Sequence, residues 1–214
     1  LRDAGRPEAA SAQYALLWDS GDWVEVDDGD ALILEWASAL AWAELYPDGG
    51  TDLYCGWRFA RHDRRFNIEH VYPMGWVAKA LGCGRRAQCR ASSPRFNEIE
   101  SDMHNMYPAR KDFNKARGSY PFREIRGERH VEKGCDLEID HRARVVEPRP
   151  AVRGDIARAM LYMADRYDLS IYQRQRRLLE QWHREDPPDA AERRRNRLIA
   201  ERQGVANHWI EKGP

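Results

Sequence analysis

Between residues 135 and 167 the period of the apolar pattern changes, and this change limits the possible folds more than any other feature of the chain. From Cys135 to Glu147 apolar and charged residues alternate, with Leu137, Ile139, Ala143 and Val145 on the apolar side, as in a strand with one buried face. Pro148 and Pro150 stop that strand. Val152, Ile156, Met160, Met163 and Tyr167 then recur at heptad-like spacing, which predicts a helix with a buried stripe. A half-buried strand followed directly by a buried helix calls for a mixed core. The predicted class is α+β, a mostly helical single domain (residues 1–214) around a small sheet.

Other segments fit that class. Glu8 to Trp18 has helical composition, and Asp30 is placed to cap a helix running through Leu45. Pro47-Asp48-Gly49-Gly50 is a turn. Leu53-Tyr54-Cys55 and Phe66 to Val71 read as short strands, and Met74–Leu81 as a helix followed by a Gly/Cys loop. Phe96, Ile99 and Met103 share one helical face from Pro94 to Met103. Further helices are expected over Ser170–His183 and after Asp189, which supplies an N-cap. The chain thus divides into an acidic helical part (1–50), a central region (51–120) and a strand and helical part (135–210).

Length and charge narrow the functional classes. At 214 residues the chain can bury a core, and no apolar run approaches the roughly 18–20 residues needed to span a bilayer. Formal net charge is zero, which by itself argues against a nucleic-acid partner. The charge is unevenly distributed, however. No Lys or Arg lies between Arg6 and Arg58, whereas Arg85, Arg86, Arg90, Arg95, Arg110, Lys111, Lys115 and Arg117 follow in close succession. Such segregation permits a positive cleft on a neutral molecule. The four cysteines allow two disulfides in three connectivities. Cys83 and Cys89 would close a short loop, leaving Cys55 to pair with Cys135. A zinc site is the rival, but no CxxC or HxxxH spacing accompanies them. Oxidised cysteines imply a periplasmic or extracellular home, and a chain beginning at Leu1 is expected to be a mature or trimmed form.

The chemistry lies in the central region. Glu69 and His70 set a carboxylate beside an imidazole, and Asn114 and Arg117 follow on the far side of Met103-His104-Asn105-Met106-Tyr107-Pro108. A carboxylate and an amide oxygen suit a hard divalent cation that keeps several waters. An imidazole is an efficient neutral base, and arginine holds phosphate. Adjacent residues on a regular strand point to opposite faces, so Glu69 and His70 serve one site only if the backbone bends there.

Taken in order, Glu69-His70-Val71-Tyr72-Pro73, Gly84-Arg85-Arg86-Ala87-Gln88-Cys89, Glu100-Ser101-Asp102-Met103-His104-Asn105 and Phe113-Asn114-Lys115-Ala116-Arg117-Gly118 resemble successive blocks of the bacterial endonuclease I family. These are periplasmic or secreted nonspecific nucleases of the ββα-metal class. The likeness continues through Val146-Glu147-Pro148, Arg153 to Arg158 and Gln203 to Asn207. The resemblance implies a metal-dependent endonuclease that cleaves double- and single-stranded DNA, and RNA, to 5′-phosphate and 3′-hydroxyl ends. It assigns His70 as general base, Glu69 and Asn114 as ligands of one Mg²⁺ (with Mn²⁺ or Ca²⁺ as substitutes), and Arg85 as the donor to the scissile phosphate. Glu100 falls at another site-proximal position. Arg85, Arg86, Arg90, Lys115 and Arg117 are the expected nucleic-acid contacts, on a monomer without a membrane partner. His104 is expected to be structural, and His62, His130, His141, His183 and His208 to lie at the surface. Trp57 replaces the second cysteine of a frequent Cys-Gly-Cys in the family, consistent with a reduced disulfide set. The low net charge and acidic N-terminal part keep one alternative open, a nucleic-acid-binding relative without catalysis.

Overall fold

The computed structural model describes residues 41–61, 63–127 and 129–214. The helix expected over 8–18 lies outside them, as does all but the end of the Asp30-capped helix. The described end is a π-type turn, Ala41–Leu45.

β1 (Gly50–Thr51) and β2 (Arg58–Phe59) form a short antiparallel pair. Between them Leu53-Tyr54-Cys55 is a turn, not the predicted strand. The cause is Asp52, whose fully buried carboxylate accepts the amides of Tyr54, Cys55 and Trp57 at 3.2, 3.2 and 2.8 Å. A side chain that satisfies three nearby backbone donors removes them from any ladder. The turn docks on the next sheet through Leu53 N–H to the Pro108 carbonyl, 2.8 Å.

That sheet pairs β3 (Phe66–His70) with β4 (Met106–Arg110) antiparallel, in register from Phe66↔Arg110 to His70↔Met106. Pro108 is tolerated because both strands of a two-stranded sheet are edges. Three helices lie between these strands: α1 (Met74–Leu81), α2 (Arg86–Ser92) and α3 (Pro94–Glu100). The Gly/Cys loop predicted after α1 therefore contains a helix, and the Cys83–Cys89 disulfide brackets its first half. Ser93 caps α3 by accepting Phe96 N–H at 3.2 Å, with Pro94 in the first turn. The helix ends at Glu100, short of the expected Met103, because Asp102 caps a separate 3₁₀ turn, Met103–Asn105. α4 (Lys111–Arg117) follows β4 without a break and completes a ββα unit.

A third sheet orders β5 (His130–Glu132), β6 (Cys135–Asp140) and β7 (Val145–Glu147) antiparallel. The single strand predicted over 135–147 is thus a hairpin. Asp140 turns the chain by accepting the amides of Arg142 and Ala143 at 2.9 and 2.8 Å. α5 (Arg153–Tyr167) is the buried helix that the spacing predicts, and it packs chiefly on α6 (Gln173–Glu185). Asp189 caps α7 (Ala190–Gln203), and Asn207 caps α8 (His208–Lys212). One core cluster joins the turn at Tyr54, α1, α3 and α5 to Trp182 of α6. The Cys55–Cys135 disulfide ties that turn to β6, and both predicted pairings are present. Among the described residues no helix is long and apolar enough to cross a membrane.

Candidate active site

Glu69 sits near the end of β3 and is 2% exposed. Its Oε1 accepts the Tyr54 hydroxyl at 2.6 Å and Arg117 Nη1 at 2.7 Å. The remaining Arg117 bonds run to the backbone, Nη1 to His70 O at 3.1 Å and Nη2 to Val71 O at 2.8 Å. This one guanidinium therefore fixes α4 against the strand and supplies the countercharge for Glu69. Burial nevertheless raises the Glu69 pKa, outweighing Arg117 and Tyr54. A further cation at Oε2, which takes part in none of these bonds, would relieve that desolvation.

Asn114 lies one turn before Arg117 on the same helix face. Its Nδ2 donates to Asn67 Oδ1 and to the Ile68 carbonyl, both at 3.0 Å. Because the Ile68 carbonyl can only accept, the amide orientation is fixed and Oδ1 takes part in neither bond. One carboxylate oxygen and one amide oxygen make a hard-donor pair that fits a Mg²⁺-type ion whose remaining ligands are water. Among the described residues no group of three or more His, Cys, Asp or Glu could hold a metal ion, so a softer, closed site of the structural zinc kind is not formed.

His70 faces α3. Its Nε2 lies 2.9 Å from the Glu100 carbonyl oxygen. A carbonyl accepts only, so Nε2 carries the proton and Nδ1 keeps its lone pair. Burial, then the nearby Arg86 charge, lowers the His70 pKa to about 4, so the ring is neutral throughout the neutral pH range. The bend expected between Glu69 and His70 does not occur there, since the ladder is regular through His70↔Met106. The chain departs from it one residue later. Consecutive side chains leave opposite faces of a strand, but the ladder ends at His70. The two can therefore reach one site around the strand end without a bend between them, and the Arg86 charge bears on both.

Arg86 is held by Glu100. That carboxylate is fully buried and binds Arg86 Nε, Arg90 Nε at 2.7 Å and Arg90 Nη2 at 3.1 Å. Glu100 is thus an anchor for two arginines, and its backbone carbonyl orients His70. The Arg86 side chain remains 47% exposed. Arg85, by contrast, is an exposed residue at the start of α2, where its backbone N–H bonds Gln88 Oε1 at 2.8 Å. Arg86 and His70 both bind Glu100, so this anchor links the exposed Arg86 guanidinium to the imidazole. Arg90 and Lys115 keep accessible side chains, but Arg117 is 1% exposed and cannot meet a nucleic acid as expected. Its charge is needed inside, opposite Glu69.

His104 has the structural role predicted for it. Its Nε2 contacts Val205 O at 2.9 Å, and its ring meets Tyr162 edge-on. His183, expected at the surface, is buried against Trp209. Tyr54 and Asn67, which position Glu69 and Asn114, were not foreseen. Nothing in their local sequence marks them, because their partners lie far along the chain.

The ββα unit and the residues at its open end resemble a family of known proteins. The family model described as Endonuclease I matches residues 9–213, and the chain belongs to that family. It is 38% identical to an extracellular deoxyribonuclease of Aeromonas hydrophila over 78% of this chain and 85% of that protein. It is also 38% identical to a periplasmic deoxyribonuclease of the same organism, over 79% of this chain and 73% of the other. An extracellular ribonuclease of Bacillus subtilis is 33% identical over 52% of this chain and 43% of its own length.

Proposed function

We propose that the protein is a divalent-metal-dependent, sequence-nonspecific endonuclease that hydrolyses phosphodiester bonds of DNA and RNA to 5′-phosphate and 3′-hydroxyl ends. The observation that carries this reading is the pairing of His70 Nε2 with the Glu100 carbonyl, which leaves a neutral imidazole with Nδ1 available. In the reaction His70 Nδ1 takes a proton from the attacking water. Arg86, steadied through its Nε by Glu100, donates its outer nitrogens to the scissile phosphate. Glu69 and Asn114 would hold the ion, with Tyr54, Arg117 and Asn67 fixing their orientation. A bound Mg²⁺-type ion would offset charge developing on the phosphate and on the leaving oxygen. Contacts of this kind address the backbone and not base edges, hence the expected lack of sequence preference. The names of the relatives and the two disulfides support a periplasmic or extracellular place of action, and the enzyme is expected to act as a monomer.

Digestion of plasmid and RNA by the purified protein, with and without EDTA, tests this reading. His70→Ala should lower turnover by roughly 10²–10⁴. Glu69→Ala and Asn114→Ala should shift the metal titration to higher concentration. Binding without cleavage in Mg²⁺, Mn²⁺ and Ca²⁺ alike would overturn it in favour of an inert binding relative.

A further inference from the structure

Outside the site, one large aromatic side chain is exposed at the end of an anchored loop. Tyr172 is 77% exposed and, with Leu81 at 38%, makes up the large exposed hydrophobics among the described residues. It ends the loop from Asp168 to Tyr172 that joins α5 to α6. Leu169 of that loop is buried, and Ile171 packs on the core. The loop is also tied to the turn that follows β3. Tyr72, two residues after His70 and 1% exposed, donates its hydroxyl to the Ser170 carbonyl at 2.9 Å. Arg174 and Arg177 follow, both exposed and three residues apart on one face of α6. Arg176, on another face, is held by Asp165 at 2.8 Å. The first turn of α6 contains no acidic residue.

A lone surface tyrosine needs no explanation. An exposed ring at the end of an anchored loop, followed within two turns by two exposed guanidinium groups and tied through Tyr72 to the turn after β3, is a different feature. Unpaired nucleotides bind by stacking bases on aromatic rings while cations follow the phosphates. We propose that Tyr172 is a stacking platform for an unpaired base of the substrate strand, with Arg174 and Arg177 holding the flanking phosphates. This rests on the nuclease reading above and extends it to single-stranded substrate.

The test is fluorescence anisotropy of a labelled single-stranded oligonucleotide with the full chain in EDTA, alongside the same sequence as a duplex. Tyr172→Ala should weaken single-strand binding roughly ten-fold or more and duplex binding much less. Tyr172→Phe should retain affinity, since only the ring is needed, and Tyr172→Leu should not. Arg174→Gln with Arg177→Gln should weaken both substrates and flatten the salt dependence. In cleavage assays Tyr172→Ala should raise KM on single strands with kcat kept. Unchanged anisotropy for Tyr172→Ala, or full affinity in Tyr172→Leu as for a general apolar contact with a protein partner, would overturn the proposal. The anisotropy needs no turnover, so an inactive wild type would refute the nuclease reading alone, and an active enzyme indifferent to Tyr172 would refute the platform alone.

Discussion

Arg117 Nη1 lies 2.7 Å from Glu69 Oε1, and the two side chains are 1% and 3% exposed. A buried pair of this kind adds little net stability over an apolar pair, but removing one partner strands the other charge. Arg117→Met should therefore destabilise the fold by about 3–5 kcal/mol, as read from denaturant unfolding. A stable Arg117→Met protein that binds nucleic acid weakly would return Arg117 to the surface role its sequence context implies.

The arginines at the start of α2 are expected to differ sharply. Arg86→Gln should lower kcat by about 10²-fold or more, the usual cost of losing a charge-stabilising donor, while Arg85→Gln stays within a few-fold of wild type. Glu100→Gln, which loosens Arg86 and Arg90 without touching the carbonyl that holds His70, should fall between them. Equal losses at Arg85 and Arg86 would contradict the assignment.

The two disulfides should be separable. Loop-closure entropy assigns about 4–5 kcal/mol to Cys55–Cys135, with a sequence separation of 80, and about 2 kcal/mol to Cys83–Cys89, with a separation of 6. Cys55→Ser with Cys135→Ser should mainly lower the unfolding midpoint. Cys83→Ser with Cys89→Ser should mainly lower turnover, because that bridge frames the turn presenting Arg86. Unfolding curves and rates measured on both double variants will show whether the effects divide this way.

Acid sensitivity should have an identifiable source in His104. Burial lowers its folded pKa from the ordinary 6.5 to about 4. The unfolded chain then binds the proton first, so stability is full above about pH 6.5 and drains as the pH falls toward 4. Gln in place of His104 can keep a donor for the Val205 carbonyl without titrating. The fall in thermal midpoint between pH 7.5 and 5 should be smaller in that variant, and an identical pH profile would remove His104 as the cause.

Much of the architecture was legible because it follows from local periodicity. The heptad spacing from Val152 to Tyr167 located α5, and the run from Phe66 located β3 to within one residue. The Cys83–Cys89 pairing was evident from the short loop it closes. The failures share a cause, which is competition settled by distant partners. Leu53-Tyr54-Cys55 has strand composition, yet the buried Asp52 carboxylate takes its amides. Arg85 and Arg86 are indistinguishable by type, and only the structure shows that Glu100 holds Arg86. Arg117 reads as one more surface cation until Glu69 is seen to need it.

The β3–β4 hairpin is not a local one. Its register joins Phe66 to Arg110 and His70 to Met106, so the loop between its strands contains all of α1, α2 and α3. Pairing at such separation carries a loop-closure cost that local elements avoid, and it is expected late in folding. Until β4 pairs with β3, Arg117 and Asn114 of the following helix are not held against Glu69, Asn67 and Ile68. A growing chain, or one that has opened at this hairpin, therefore holds the components of the site but not the assembled site. Chemical competence and completion of the fold come as one event.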